Sequence, residues 1–264
     1  MEYQDIIFEV KEGYAILTFN KPEKLNALSS RMKEELEDVI HVMETDSSLR
    51  GLIVTGSGRA FMAGTDLSEL TTDRTGAETK QMSLHGQELM NKLEALPKPV
   101  IAAVNGYALG GGTELALACD LRVAGEKAVF GVPESDLGVA PCYGGTQRLA
   151  RLCGPSVAKD LLFTARKVRA DEAYRIGLAD RLVPQESLME ETKNLMKSII
   201  KNGPVAIAAC KSLVDQGLDM SFAAGLRYEA ELNGMLADTE DAKEGLKSFF
   251  EKRPPVFQLS LIHI

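Results

Sequence analysis

Hydrophobic positions alternate with polar ones over residues 5–10 and 13–20, where Ile6, Phe8 and Val10 are followed by Tyr14, Ile16, Leu17 and Phe19. With Glu12-Gly13 between the two runs, the pattern predicts a β-hairpin. The period then changes. Met32, Leu36, Val39, Ile40 and Met43 recur at helical spacing, so a helix capped by Ser29 or Ser30 is expected to about Thr45. Gly51 to Thr55 reads as a short apolar strand, and a longer helix is expected from about Gly76 to Leu96, stopped by Pro97 and Pro99. A buried strand over Pro99–Val104 is turned by Asn105-Gly106, and Gly110-Gly111-Gly112 opens a helix through Ala118. Strands follow at Leu121–Ala124 and Ala128–Phe130.

Strand, strand, helix therefore recurs over 5–45, 50–96, 100–118 and 121–153, which fits an α/β ββα superhelix better than a regular βαβ alternation. Beyond about residue 155 the pattern is helical, with starts near Pro155, Ala170, Ser187 and Pro204. We expect a core over 1–200 and a C-terminal α-helical layer over 201–258. Residues 259–264 (Leu-Ser-Leu-Ile-His-Ile) are uncharged and follow Lys252-Arg253-Pro254-Pro255; they read as a non-native tail resembling translated adapter sequence.

Composition narrows the function classes. The chain has 264 residues, 45% hydrophobic and 26% charged, as soluble globular enzymes do. The net charge of -8 argues against a general nucleic-acid binder, and no apolar run is long enough to span a membrane. The acidic start, Met1 to Asp5, resembles neither a signal nor a transit peptide, so a cytoplasmic protein is expected. Cys119, Cys142, Cys153 and Cys210 show no paired spacing and are expected as free thiols. With His41, His85 and His263 dispersed, no metal site is expected.

Three segments could carry chemistry. In Arg59-Ala-Phe-Met-Ala-Gly-Thr-Asp66, Gly64 permits a turn that would leave the Thr65 N–H free for an anion. In Asn105-Gly-Tyr-Ala-Leu-Gly-Gly-Gly-Thr-Glu114, consecutive glycines at a helix start let a ligand approach the backbone. The spacing is neither a dinucleotide fingerprint nor a P-loop. In Phe130-Gly-Val-Pro-Glu134, proline fixes the backbone before a carboxylate, and Gly144-Gly145 start a helix containing Arg148. Taken singly, the first is an ordinary strand-to-helix turn, Glu114 offsets a helix dipole, and Glu134 is a solvated turn residue.

Taken together they resemble the enoyl-CoA hydratase/isomerase (crotonase) family, from about residue 5 to 257. The family's A-F-x-A-G-x-D segment is matched by Ala60–Asp66, its A-x-G-G-G-x-E-L segment by Ala108–Leu115, and its P-E…G-G-T-Q-R-L block by Pro133-Glu134 and Gly144–Leu149. The resemblance implies a crotonase-like fold and an oxyanion hole made by the N–H groups of Thr65 and Gly111, beside Gly110. It makes Glu114 and Glu134 catalytic, Glu134 acting on the Cα proton and Glu114 on the water. It places Lys24 and Leu25 near the CoA phosphates, the backbone of Ala63 and Leu67 near the adenine beside Asp66, and Phe249 and Lys252 against a neighbouring subunit's CoA.

It further implies an acyl-CoA thioester substrate, no separate cofactor, and a homotrimer or homohexamer. The chain departs from the family where Pro141 is followed by Cys142-Tyr143 instead of a glycine-containing pair, which places side chains near the water or acyl pocket. Thr65 replaces a small apolar residue, a milder change if only its N–H is used. Hydration of an enoyl-CoA is the leading expectation, since both glutamates are present. Double-bond isomerisation, dehydration of a cyclic or branched hydroxyacyl-CoA, and non-catalytic acyl-CoA or RNA binding stand beside it.

Overall fold

The computed structural model describes residues 3–69 and 73–257, so the tail at 259–264 lies outside the described residues. The apolar runs become the strands of one six-stranded sheet: β1 (Ile6–Lys11), β2 (Tyr14–Phe19), β3 (Leu52–Gly56), β5 (Val100–Val104), β7 (Leu121–Gly125) and β10 (Arg181–Val183), hydrogen-bonded in the order β1-β2-β3-β5-β7-β10. β1 and β2 form the expected antiparallel hairpin, and every later neighbour is parallel. A second sheet, in the order β4-β6-β8-β9, contains β4 (Ala60–Met62), β6 (Tyr107–Leu109), β8 (Val129–Gly131) and β9 (Val168–Arg169).

The crossovers between parallel strands explain the expected recurrence. With α2 (Gly76–Glu94), α3 (Gly111–Leu117) and α4 (Gly145–Cys153), the units are β3-β4-α2, β5-β6-α3 and β7-β8-α4. Each sends its first strand to the large sheet and its second to the small one. The N-terminal unit differs, because both strands of the hairpin lie in the large sheet before α1 (Ser30–Thr45). Ser29 is the cap of α1, its hydroxyl accepting the Met32 N–H at 3.2 Å. A Thr75–Glu78 capping box starts α2.

Both faces of the large sheet are covered, which is why its strands read as nearly continuous apolar runs. Ala15, Leu17 and Phe19 face the main core with α1 and α2. Tyr14, Ile16, Ile53 and Ile101 face Leu188, Leu195 and Met196 of α7 (Leu188–Ile200). Between α4 and α7 come α5 (Pro155–Thr164) and α6 (Ala170–Arg175).

The C-terminal layer is α8 (Pro204–Gly217), α9 (Phe222–Ala237) and α10 (Glu240–Glu251). No residue of α8 or α9 is buried within the chain, while Leu218, Phe222, Phe249 and Phe250 are exposed. No helix among the described residues is long and apolar enough to cross a membrane.

Candidate active site

Parallel pairing of β4 with β6 carries the Ala60–Asp66 and Ala108–Glu114 segments to the same end of the small sheet. Each strand is followed by a glycine with positive φ, Gly64 at 94° and Gly110 at 52°, conformations a side chain would strain. The two turns nearly touch. A Cβ on Gly64 would lie 3.0 Å from the Leu109 carbonyl oxygen, and one on Gly112 only 1.9 Å from that of Met62. Leu28 clamps the first turn, its N–H donating to Gly64 O at 2.7 Å and its carbonyl accepting the Asp66 N–H at 3.1 Å. That bridge leaves the intervening Thr65 N–H pointing away, and Gly111, as the first residue of α3, has no acceptor inside its helix. Among the described residues neither N–H has a hydrogen-bond partner, and both lie beside the Gly64 turn.

Two carboxyls face this pair of donors in contrasting surroundings. Glu114 is 2% exposed, and its Oε1 accepts the N–H groups of Tyr143 and Gly145, both at 2.8 Å. Gly145 permits that approach, since an added Cβ would stand 2.9 Å from the same oxygen. Burial raises the Glu114 pKa, while the two N–H donors and the Arg148 charge pull it back. Arg148 is itself held by Glu94, at 2.7 Å, and donates to the Tyr143 carbonyl.

Glu134, in the 3-10 turn Pro133–Leu137, receives no N–H from another residue among the described residues, only its own backbone N–H acting on it. Its Oε2 is buried without a hydrogen-bond partner among the described residues. Its Oε1 lies against Gly110, 2.9 Å from where a Cβ would stand. Burial pushes this carboxyl up to about 7; its own backbone N–H opposes the shift and the Glu114 charge adds to it. One carboxylate is thus fixed by donors and the other is poised to carry a proton near neutrality.

The residues expected to meet CoA gather at one lip of the site. Lys24 Nζ pairs with Asp66 Oδ2 at 2.8 Å, and the Ala63 N–H donates to the Leu25 carbonyl at 3.0 Å. Leu67 follows in an exposed 3-10 turn, Leu67–Glu69. The lip is held by Asn26, which no motif had marked: it is wholly buried, and its Nδ2 donates to Ser57 O and Ala60 O at 3.0 and 2.8 Å. Phe249 and Lys252 are not brought here. They lie exposed at the end of α10, and among the described residues neither makes a hydrogen bond or ion pair with the site.

The segment that departs from the family turns inward. Tyr143 is buried, its ring packed on Gly86 of α2 and placed where a Cβ on Gly111 would meet it at 3.5 Å. The Cys142 carbonyl accepts from Gln87 Nε2 at 3.0 Å. The Thr65 side chain has a partner although its N–H has none among the described residues: its hydroxyl donates to Tyr143 Oη at 3.3 Å. Lys33, also unmarked by any motif, reaches the same phenol oxygen at 3.4 Å. Its signal was its place in the apolar stripe of α1, in register with Leu36, Ile40 and Met43.

The profile of the family described as enoyl-CoA hydratase/isomerase matches residues 9–259. The chain belongs to the enoyl-CoA hydratase/isomerase family. It is 43% identical over 254 residues to a short-chain-enoyl-CoA hydratase of Clostridium acetobutylicum, covering 96% of this chain and 97% of that protein. It is 42% identical over 258 residues to a crotonyl-CoA hydratase of Syntrophomonas wolfei, covering 97% and 99%. The crystal structure of an enoyl-CoA hydratase from Bacillus anthracis superposes with a TM-score of 0.92 at 37% identity, covering 96% and 99% of the two chains. The fold is therefore the expected crotonase-like one, with its C-terminal helical layer.

Proposed function

We infer that this enoyl-CoA hydratase acts on a short trans-2-enoyl-CoA, and that Glu114 and Glu134 divide the addition of water between them. The observation that carries this division is the contrast between the two carboxyls beside one pair of free N–H donors. The thioester carbonyl accepts from Thr65 and Gly111, which stabilise the negative charge as an enolate develops; one such donor contributes about 2.7–4 kcal/mol to lowering a barrier. Glu114, ionised and fixed by its two N–H partners, takes a proton from water as the oxygen bonds to Cβ. Glu134, carrying a proton near neutrality, delivers it to Cα as the enolate collapses. Turnover leaves Glu114 protonated and Glu134 ionised, and exchange with solvent restores the starting state.

The CoA moiety is placed along Lys24, Leu25, Ala63, Asp66 and Leu67, and the substrate brings the only coenzyme the reaction needs. The exposed apolar side chains of α8 to α10, with a groove of about 190 Å³ lined by Val205, Ala208, Tyr228 and Leu232, support assembly into a trimer or a pair of trimers. In that assembly Phe249 and Lys252 approach a neighbour's CoA. The free thiols Cys119, Cys142, Cys153 and Cys210 suit a reducing cytoplasm.

Loss of enoyl absorbance on adding crotonyl-CoA tests the reading. Wild type is expected to turn over, and Glu114→Gln to lose hydration while keeping any double-bond isomerisation. Absence of hydration with short, long and cyclic enoyl-CoAs would sink it. The pH profile of kcat/KM supplies a second check. Glu134 must hold its proton, so the rate is expected to fall as pH rises through about 7. Glu114 must be ionised, so a second fall is expected on the acid side. A rate that climbs steadily above neutrality contradicts the assignment of Glu134 as the acid.

A further inference from the structure

Lys33 occupies a position where α1 otherwise turns apolar side chains inward, and it is only 8% exposed. A buried ammonium is costly unless acceptors or an anion replace its water. No carboxylate among the described residues comes within ion-pair distance of it. Glu35 is committed to the N–H groups of Gln4 and Asp5, and Glu37 to Lys92. Among the described residues the sole acceptor of Lys33 Nζ is Tyr143 Oη, with the ammonium 5.5 Å from the ring centroid. That oxygen already receives the Thr65 hydroxyl. With two donors directed at it, the phenol's own proton is left without an acceptor among the described residues.

Tyr143 Oη is one hydrogen bond from the Thr65 side chain and Lys33 Nζ is one further, and the Thr65 N–H is placed on the thioester oxygen. The Tyr143 ring fills the space a side chain at position 86 would need, with an added Cβ only 2.1 Å away.

We propose that Lys33 and Tyr143 form an anion-binding end of the acyl pocket, and that the preferred substrate is a short enoyl-CoA whose acyl chain ends in a carboxylate. The proposal rests on the hydratase reading above. A terminal carboxylate takes an N–H of Lys33 and the O–H of Tyr143, and gives the buried ammonium its missing counter-charge. A methyl-terminated chain leaves both donors unanswered, the situation in which a site discriminates most strongly.

The test compares kcat/KM for trans-2-hexenoyl-CoA with that for the same chain bearing a terminal carboxylate, the mono-CoA thioester of trans-2-hexenedioic acid. Wild type is expected to prefer the carboxylate, and the ratio to fall about tenfold or more in Lys33→Met. Tyr143→Phe, which keeps the ring and the backbone N–H on Glu114, is expected to lower the ratio in the same direction. It carries the test alone if Lys33→Met does not fold. A wild type that hydrates both chains without preferring the carboxylate, or a ratio that Lys33→Met and Tyr143→Phe leave unchanged, overturns the proposal and leaves hydration standing. A wild type that hydrates neither chain nor crotonyl-CoA removes the hydratase reading, and the proposal with it.

Discussion

Replacing Glu134 by glutamine lowers kcat for crotonyl-CoA hydration by about 10²–10⁴-fold, the range over which a positioned general acid acts. Glutamine keeps the shape of the side chain and cannot release a proton. The loss should therefore appear in kcat, with KM nearly unchanged, because among the described residues Glu134 makes no hydrogen bond or ion pair with the lip that holds Lys24 and Asp66. Removing the titrating carboxyl should also abolish the fall in rate through pH 7 that burial of Glu134 creates. The fold should tolerate the change, since Glu134 Oε2 has no hydrogen-bond partner to lose among the described residues. Steady-state kinetics across pH check all three. A residual rate within about tenfold of wild type would show that the proton reaches Cα by another route.

Gly112→Ala is expected to have the largest effect on stability. Alanine is a better helix former than glycine by about 1 kcal/mol. At this position, however, the new Cβ meets the Met62 carbonyl oxygen at 1.9 Å and its carbon at 2.8 Å. Backbone cannot yield as a side-chain tip can, so β4 and α3 must separate; overpacking of this kind costs typically 1–3 kcal/mol and occasionally more. We expect a net loss of about 2 kcal/mol in urea unfolding. A fall in kcat should accompany it, because the same separation parts the Thr65 and Gly111 donors. Gly111→Ala is the contrast, its Cβ meeting the Tyr143 ring at 3.5 Å, an ordinary contact. Equal stability changes in the two variants would contradict this account of how the oxyanion turns are held.

The hairpin, α1 and α2 were legible in the chain because each is long enough for its period to show. β4 and β6 were not. Three residues carry no period, and Ala60–Met62 and Tyr107–Leu109 are strands only because they pair with each other and with β8. That pairing is what brings Gly64, Gly111 and Glu134 together, so the motifs could be recognised singly while their convergence rested on family resemblance.

The opposed surroundings of the two glutamates depend on distant partners, Tyr143 and Gly145 for Glu114 and their absence for Glu134, which no local spacing encodes. Lys33 broke the apolar stripe of α1 openly. A long side chain can nevertheless lead its charge back to water, so spacing alone could not place its ammonium beside Tyr143. Thr65 was judged by its backbone; its hydroxyl gained a role through the same tyrosine.

The division of labour between the glutamates is tested most directly by exchange of the α-protons of butyryl-CoA in heavy water, followed by NMR. That reaction needs the oxyanion donors and a base at Cα, and no water at Cβ. Glu114→Gln is expected to retain exchange while losing hydration, and Glu134→Gln to lose both. Exchange that survives in Glu134→Gln and disappears in Glu114→Gln would reverse the roles assigned here.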